Sequence, residues 1–216
     1  MLIASLPALP ARLDVERPVI SQERLEGRLR MLEPDDAEEM VRLRAVLKWA
    51  NQFDEPDDAA VVRRYHALMA DIRNPLVRDI LEYGTDVRMI AVALRCRRAG
   101  RDLPEVGFGS RFGHLRRNFA APDFKLGAAF PWIADAEQSL GQGDLLGLFR
   151  RYVLGATWDY LRKQAQDHYF DFEAVVLYVA QWDCVRRWQQ LDEARGREIF
   201  ESLITEALGE HAILYA

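Results

Sequence analysis

The sequence predicts an all-α protein, and three observations carry that prediction. Apolar residues recur three and four positions apart in nearly every segment outside the middle of the chain. Helix-starting residues, often with acidic side chains just after them, precede these runs. Runs that alternate apolar and polar residues, as strands do, are almost absent, and "GFGSRFGHL" is too rich in glycine to count as one.

Taken in order, Ser21 opens a helix whose Leu25, Leu29 and Leu32 share a face. Asp35 and Glu38 read as a capping box after Pro34, starting a helix through Met40, Leu43, Leu47 and Ala50. Asp57 caps the next, with Val61, Tyr65, Leu68 and Ile72 as its buried stripe. Asn74 as cap, Pro75 at the first helical position and Gly84 as stop bound another. A further helix begins at Thr85 and ends at Gly100, with arginines in its last turn, where the helix dipole favours cations. The glycines and prolines between Gly100 and Pro131 exclude one regular helix and mark an interdomain or functional segment. Helical patterns resume over 132–140, 144–166, 171–190 and 193–208. Leu145, Leu148, Tyr152, Gly155 and Trp158 align one face of the long one. The expected organisation is successive helical hairpins in one or two bundles. An N-terminal part (1–100) and a C-terminal part (132–216) flank a connector (101–131), and one continuous domain remains an option.

A chain of 216 residues can bury roughly 70% of its unfolded surface, so it needs no disulfide or metal to build a core. Half its residues are hydrophobic and 29% are charged, as in ordinary globular proteins. A formal charge of −5 argues against a general nucleic-acid binder. Cys96 and Cys184 make no disulfide framework and read as buried apolar fillers in a reducing compartment. The opening "MLIASLPALPARLD" has no charge before Arg12 and is broken by Pro7 and Pro10, unlike a signal peptide. No window reaches the length of a membrane-spanning helix, so a cytoplasmic location is expected.

Three constellations bear on function. His168, Asp171 and Glu173 are residue types that bind transition metals, and the first two have the spacing of a shared helix face. The competing reading is local, with Asp171 as N-cap and Glu173 in a first turn favoured by the dipole. Val175, Tyr178, Trp182 and Val185 would then form a packing stripe widened by Val176 and Val179. The capped core helix is favoured, because His66, His114 and His211 are scattered and complete no second pair.

Arg95, Arg97, Arg98, Arg101, Arg111, Arg116 and Arg117 set seven cations against Asp102 and Glu105. They read either as a docking surface for an acidic or phosphorylated partner, or as a solvated helix end and polar loop. "GFGSRFG", Gly107 to Gly113, superficially resembles a phosphate-cradling loop but lacks the lysine and hydroxyl of a P-loop, and no helix is evident directly after it. Ser110 has no evident His–Asp arrangement. The acidic runs Asp35–Glu39 and Asp54–Asp58 suit first helical turns, and the five tryptophans at 49, 132, 158, 182 and 188 suit core or interface anchoring. The residues therefore predict no catalytic set and no cofactor.

Ala4-Ser5-Leu6-Pro7 near the start, with Phe172-Glu173-Ala174-Val175, Tyr178, Trp182, Arg187-Trp188, Gly196 and Phe200 toward the end, cover about a third of the chain in patches. In combination they resemble the bacterial DUF2764 family, whose members accompany V/A-type ATPase operons. The resemblance implies a non-enzymatic stand-in for the C (d-type) subunit, the helical protein that couples the central stalk to the membrane ring. Its implied partners are the other ATPase subunits, and its implied place is the cytoplasmic side of the inner membrane, peripheral and through the complex only. The chain is much shorter than a typical C subunit.

Overall fold

The structure is a computed structural model that describes residues 2–15, 19–49 and 57–191. Among these residues every regular element is helical. α1 spans Gln22–Leu29, α2 Pro34–Trp49, α3 Asp58–Ala70 and α4 Pro75–Arg98. α5 spans Phe112–Arg117 and α6 Ile133–Gly141. A short α7, Leu145–Gly147, leads without a break into a π-helical segment, Leu148–Leu154, and then into α8, Gly155–Gln164. α9 spans Phe172–Gln190. The expected helix over 193–208, with Gly196 and Phe200, and the roles expected of Trp49, Ala50 and His211 lie outside the described features.

The caps act as their chemistry requires. Ser21, Asp57, Asn74 and Asp171 each accept a hydrogen bond from the backbone N–H three residues on, covering a donor that the helix leaves open. α2 begins at Pro34, two residues earlier than a box capped by Asp35 requires, so Asp35 and Asp36 lie inside its first turn. There they gain from the dipole rather than from capping.

Gly84 does not stop a helix. α4 runs through it for 24 residues, and the buried Ile80, Leu81, Thr85 and Val87 on either side supply the reason. A glycine costs a helix about 1 kcal/mol relative to alanine, whereas burying a single large apolar side chain returns roughly 1.5–3 kcal/mol.

α4 is the central element, packed against α2, α5, α6, the π segment, α8 and α9. Its buried residues fall all round its circumference from Val77 to Cys96. α9 is enclosed in the same way, with every residue from Ala174 to Val185 buried. Periodicity predicts a stripe there, but a helix buried on all sides need not keep a polar face. The chain before α1 is fastened to α9. The indole N–H of Trp182 donates to the carbonyl of Ile20 at 2.9 Å, and Gln189 Nε2 donates to that of Val15 at 3.2 Å.

The 101–131 stretch is ordered and joins the same core. Phe108, Leu115, Phe124 and Phe130 are buried with residues from both flanking parts, so one hydrophobic core crosses all three segments. On the far side of α4, Tyr83 stacks on Tyr160 with centroids 3.9 Å apart. Phe130 packs on Tyr83, tying the connector to α8.

Two glycines offer contrasting tests. A Cβ at Gly84 would meet open space, so Gly84→Ala is expected to stabilise the protein by about 0.5–1 kcal/mol in urea unfolding. Gly109 has φ +89°, and a Cβ there would lie 2.6 Å from Asp86 Oδ1. Gly109→Ala is therefore expected to destabilise by more than about 1 kcal/mol in the same measurement.

Candidate functional site

The structure distributes the seven arginines among different tasks. Arg97 donates to the carbonyls of Ala121 and Pro122 at 2.8 and 2.7 Å and pairs with Glu137 at 2.8 Å. Its guanidinium lies 4.3 Å from the centre of the Phe124 ring. Arg97 thus fastens the connector to α4 and α6. Arg116 donates to the Glu105 carbonyl at 2.8 Å. Arg95 is half-buried, and burial, with Arg101 adding repulsion, pushes its pKa down. Arg101 and Arg111 are exposed, and the backbone N–H of Arg111 donates to Asp86 Oδ1 at 2.8 Å. Arg98 and Arg117 are also exposed. The cluster is a scaffold with a few outward cations.

"GFGSRFG" is explained by a single buried carboxylate. Asp86, in the middle of α4, accepts the Ser110 hydroxyl at 2.6 Å and the Arg111 N–H at 2.8 Å. Burial pushes Asp86 up from the ordinary carboxylate value, and these bonds oppose the push. The left-handed Gly109 lets the loop approach this carboxylate. A helix, α5, does follow directly, contrary to the sequence reading. It begins at Phe112 within the loop, supported by burial of Leu115 and by the Leu115 N–H donating to the Arg111 carbonyl at 2.9 Å. Ser110 thus belongs to a latch, and no His–Asp pair accompanies it among its hydrogen-bond partners.

The first turns of α2, α4 and α9 converge at one end of the molecule. Glu39 Oε1 accepts from the backbone N–H groups of Arg73 and Asn74, both at 2.8 Å. Burial raises the Glu39 carboxyl, but these donors and Arg42 outweigh it and hold it below the usual value. Asn74 Oδ1 caps α4 by accepting from Val77 N–H at 3.1 Å, while its Nδ2 donates to Glu173 Oε1 at 2.7 Å. Asp36 faces the same junction. Burial raises its pKa first, followed by repulsion from Glu173, Asp35 and Glu33.

His168, Asp171 and Glu173 do come together. One ligand atom from each lies within 4.8 Å of the others, the one such group among the described residues. Every member also has a structural bond. His168 Nδ1 is 2.7 Å from Asp171 Oδ2, Asp171 Oδ1 accepts from Ala174 N–H at 2.9 Å, and Glu173 is held by Asn74. Burial raises Asp171, yet the His168 and Ala174 bonds outweigh it and lower its pKa. A metal ion would have His168 Nε2 and the remaining carboxylate lone pairs to bind, at the N-terminus of a helix whose dipole opposes a cation.

Sequence reasoning missed two groups. Asp183, 9% exposed, pairs with Arg187 and Arg186 inside the apolar run of α9. Arg88 of α4 faces it, pushed down to about 9 by burial, with Arg187 adding to the push and Asp183 opposing it. The signal was an acid in the midst of "VVLYVAQWDCV", which a stripe model assigns to a solvent face. Burial also pushes Cys184 up to about 12 and raises Cys96, so neither thiol is poised as a nucleophile. The second group is Tyr169 and Phe170, 67% and 77% exposed beside the acidic junction.

Asn74 can be tested apart from simple capping. Asn74→Asp keeps an oxygen for Val77 but sets a carboxylate against Glu173, and is expected to cost about 2 kcal/mol in urea unfolding. Adding Glu173→Gln, whose amide can donate to the new carboxylate, is expected to restore most of it. A neutral Asn74→Asp would reduce the residue to a cap.

Comparison with known families places the chain against the one described as "Protein of unknown function (DUF2764)", matched over residues 25–210. No curated protein matches it, and no solved structure does. The match runs from within α1 through α9 and includes the Phe172–Val175, Tyr178, Trp182 and Arg187-Trp188 positions. The chain belongs to the DUF2764 family.

Proposed function

We propose that this protein is a non-enzymatic structural subunit of a bacterial V/A-type rotary ATPase, standing in for the C (d-type) subunit between central stalk and membrane ring. The observation that carries the reading is how the polar groups are used. Asn74, Asp86, Arg97, Ser110 and Asp171 hold helices and loops to one another, and the thiols are buried. Charge at the helix ends and exposed apolar side chains, Tyr169 and Phe170 foremost, face outward among the described residues, and these are means of assembly rather than of chemistry. Family membership supports the choice of complex through the operon association of DUF2764 proteins. No helix among the described residues is long and apolar enough to cross a membrane, so contact with the ring would run through protein surfaces. The place proposed is the cytoplasmic side of the inner membrane.

A metal-dependent role is the second reading, favoured by the 4.8 Å grouping of His168, Asp171 and Glu173. Stoichiometric zinc, manganese or iron in the purified full chain would support it, and folded protein free of metal would remove it. An adaptor role for a phosphorylated ligand at the arginines would appear as phosphate-bearing affinity that collapses with salt.

The tagged full chain, purified in mild detergent from cells that carry it natively, is expected to bring ATPase subunits with it. Deleting its gene is expected to abolish most ATP-driven ion pumping. Intact pumping after deletion, or purification without any ATPase subunit, would sink the proposal. Arg98→Glu with Arg117→Glu is the suitable test of the arginine strip, because Arg97 is committed to the fold. Unchanged assembly in that variant would remove the strip as a contact.

A further inference from the structure

We propose that the end of the molecule where α2, α4 and α9 begin docks a basic segment of another protein, with Tyr169 and Phe170 as anchors and Asp35, Asp36, Asp167 and Glu173 as the surrounding charge. This names a contact face and a partner chemistry beyond the subunit reading, and it stands whether or not the partner belongs to an ATPase.

The anchors come first. Tyr169 and Phe170 form the tip of the turn between α8 and α9, with 67% and 77% of their surface exposed. Large aromatic side chains usually find cover, and adjacent exposed ones are a feature of binding surfaces. The turn presents them in a fixed way. His168 Nδ1 and Asp171 Oδ2, on either side of the pair, are 2.7 Å apart. Asp171 is in turn bound to the first turn of α9 through Ala174 N–H. A held anchor loses little freedom on binding, which favours affinity.

The charge is the second, independent observation. Residues 33–39, 71–75 and 167–173 meet here and carry nine carboxylates and Arg73, with Arg42 and Arg78 reaching in from α2 and α4. Arg42 pairs with Glu38 and Glu39. No ion pair is described for Asp35, Asp36, Asp167 or Glu173 among the described residues, and Asp36 is crowded by Glu173, Asp35 and Glu33. Carboxylates that repel one another gain when a cationic partner arrives.

These two features select the occupant. An anionic lipid surface would be repelled by this rim. A second copy meeting it symmetrically would set carboxylates against carboxylates. A metal ion would use the acids but leave both aromatic rings bare. A protein segment carrying lysine or arginine beside an apolar stem satisfies both.

The test places a photoreactive benzoylphenylalanine at position 170 of the full chain in its native cells, with position 117 on α5 as the comparison site. The expected result is an adduct with another protein, mapped to a peptide rich in lysine and arginine. Its yield should fall about tenfold in Asp36→Asn with Glu173→Gln and in high salt. These neutral replacements keep side-chain shape, and an unchanged thermal transition establishes that the variant is folded. An adduct insensitive to neutralisation would overturn the proposal. So would one mapped to an acidic or neutral peptide, to a second copy, or to the chain's own residues 192–216, and so would none at position 170. An adduct with a basic protein outside the ATPase supports this face and removes the ATPase reading. ATPase subunits that co-purify without an adduct at position 170 leave that reading standing and remove the face.

Discussion

The side-chain amide of Asn74 accepts from the backbone of its own helix and donates to a carboxylate on another, and the arrangement of the bundle depends on that double use. Its oxygen closes the first turn of α4, its nitrogen reaches Glu173 at the start of α9, and its backbone N–H is taken by Glu39 of α2. Three helices therefore begin at one place. Glu39 and Asp171 accept backbone N–H groups at these helix starts, where the positive ends of the dipoles offset part of the repulsion among the acids. α4 and α9 consequently run in the same direction, with Arg88 level with Asp183.

That shared direction makes the interior possible. Asp183 cannot reach solvent from the enclosed stretch of α9, so Arg186 and Arg187 one turn on pair with it, and Arg88 of α4 faces the same group. Removing one member of such a group leaves the rest unpaired, which is more costly than the group's net contribution. The connector is held by the same logic. Arg97 satisfies two of its carbonyls and covers Phe124, and Asp86 draws the glycine loop down. Both α4 residues convert a glycine- and proline-rich stretch into part of the core.

Charge is thereby sorted along the molecule. Acids collect where helices begin, and arginines collect at the end of α4 and beyond, as the dipoles favour. Much of the arginine charge is consumed internally, whereas part of the acidic charge surrounds an exposed aromatic pair. The two ends of α4 therefore differ in charge, acidic where it begins and rich in arginine where it stops.

The helical class and the caps at Ser21, Asp57, Asn74 and Asp171 were legible in the sequence, because they depend on residues three or four apart, whereas the starts expected at Asp35 and Thr85 fall inside α2 and α4. The burial of Cys96 and Cys184 was legible as well. Gly84 misled because a local breaker is outweighed by burial on both sides of it, and α5 was missed because its support comes from α4. The tertiary structure alone decided which arginines are committed, which acids are buried, and that Glu173, grouped with His168 and Asp171, meets Asn74. Those outcomes depend on partners tens of residues away, whose approach is set by packing of whole helices and not by the local chain.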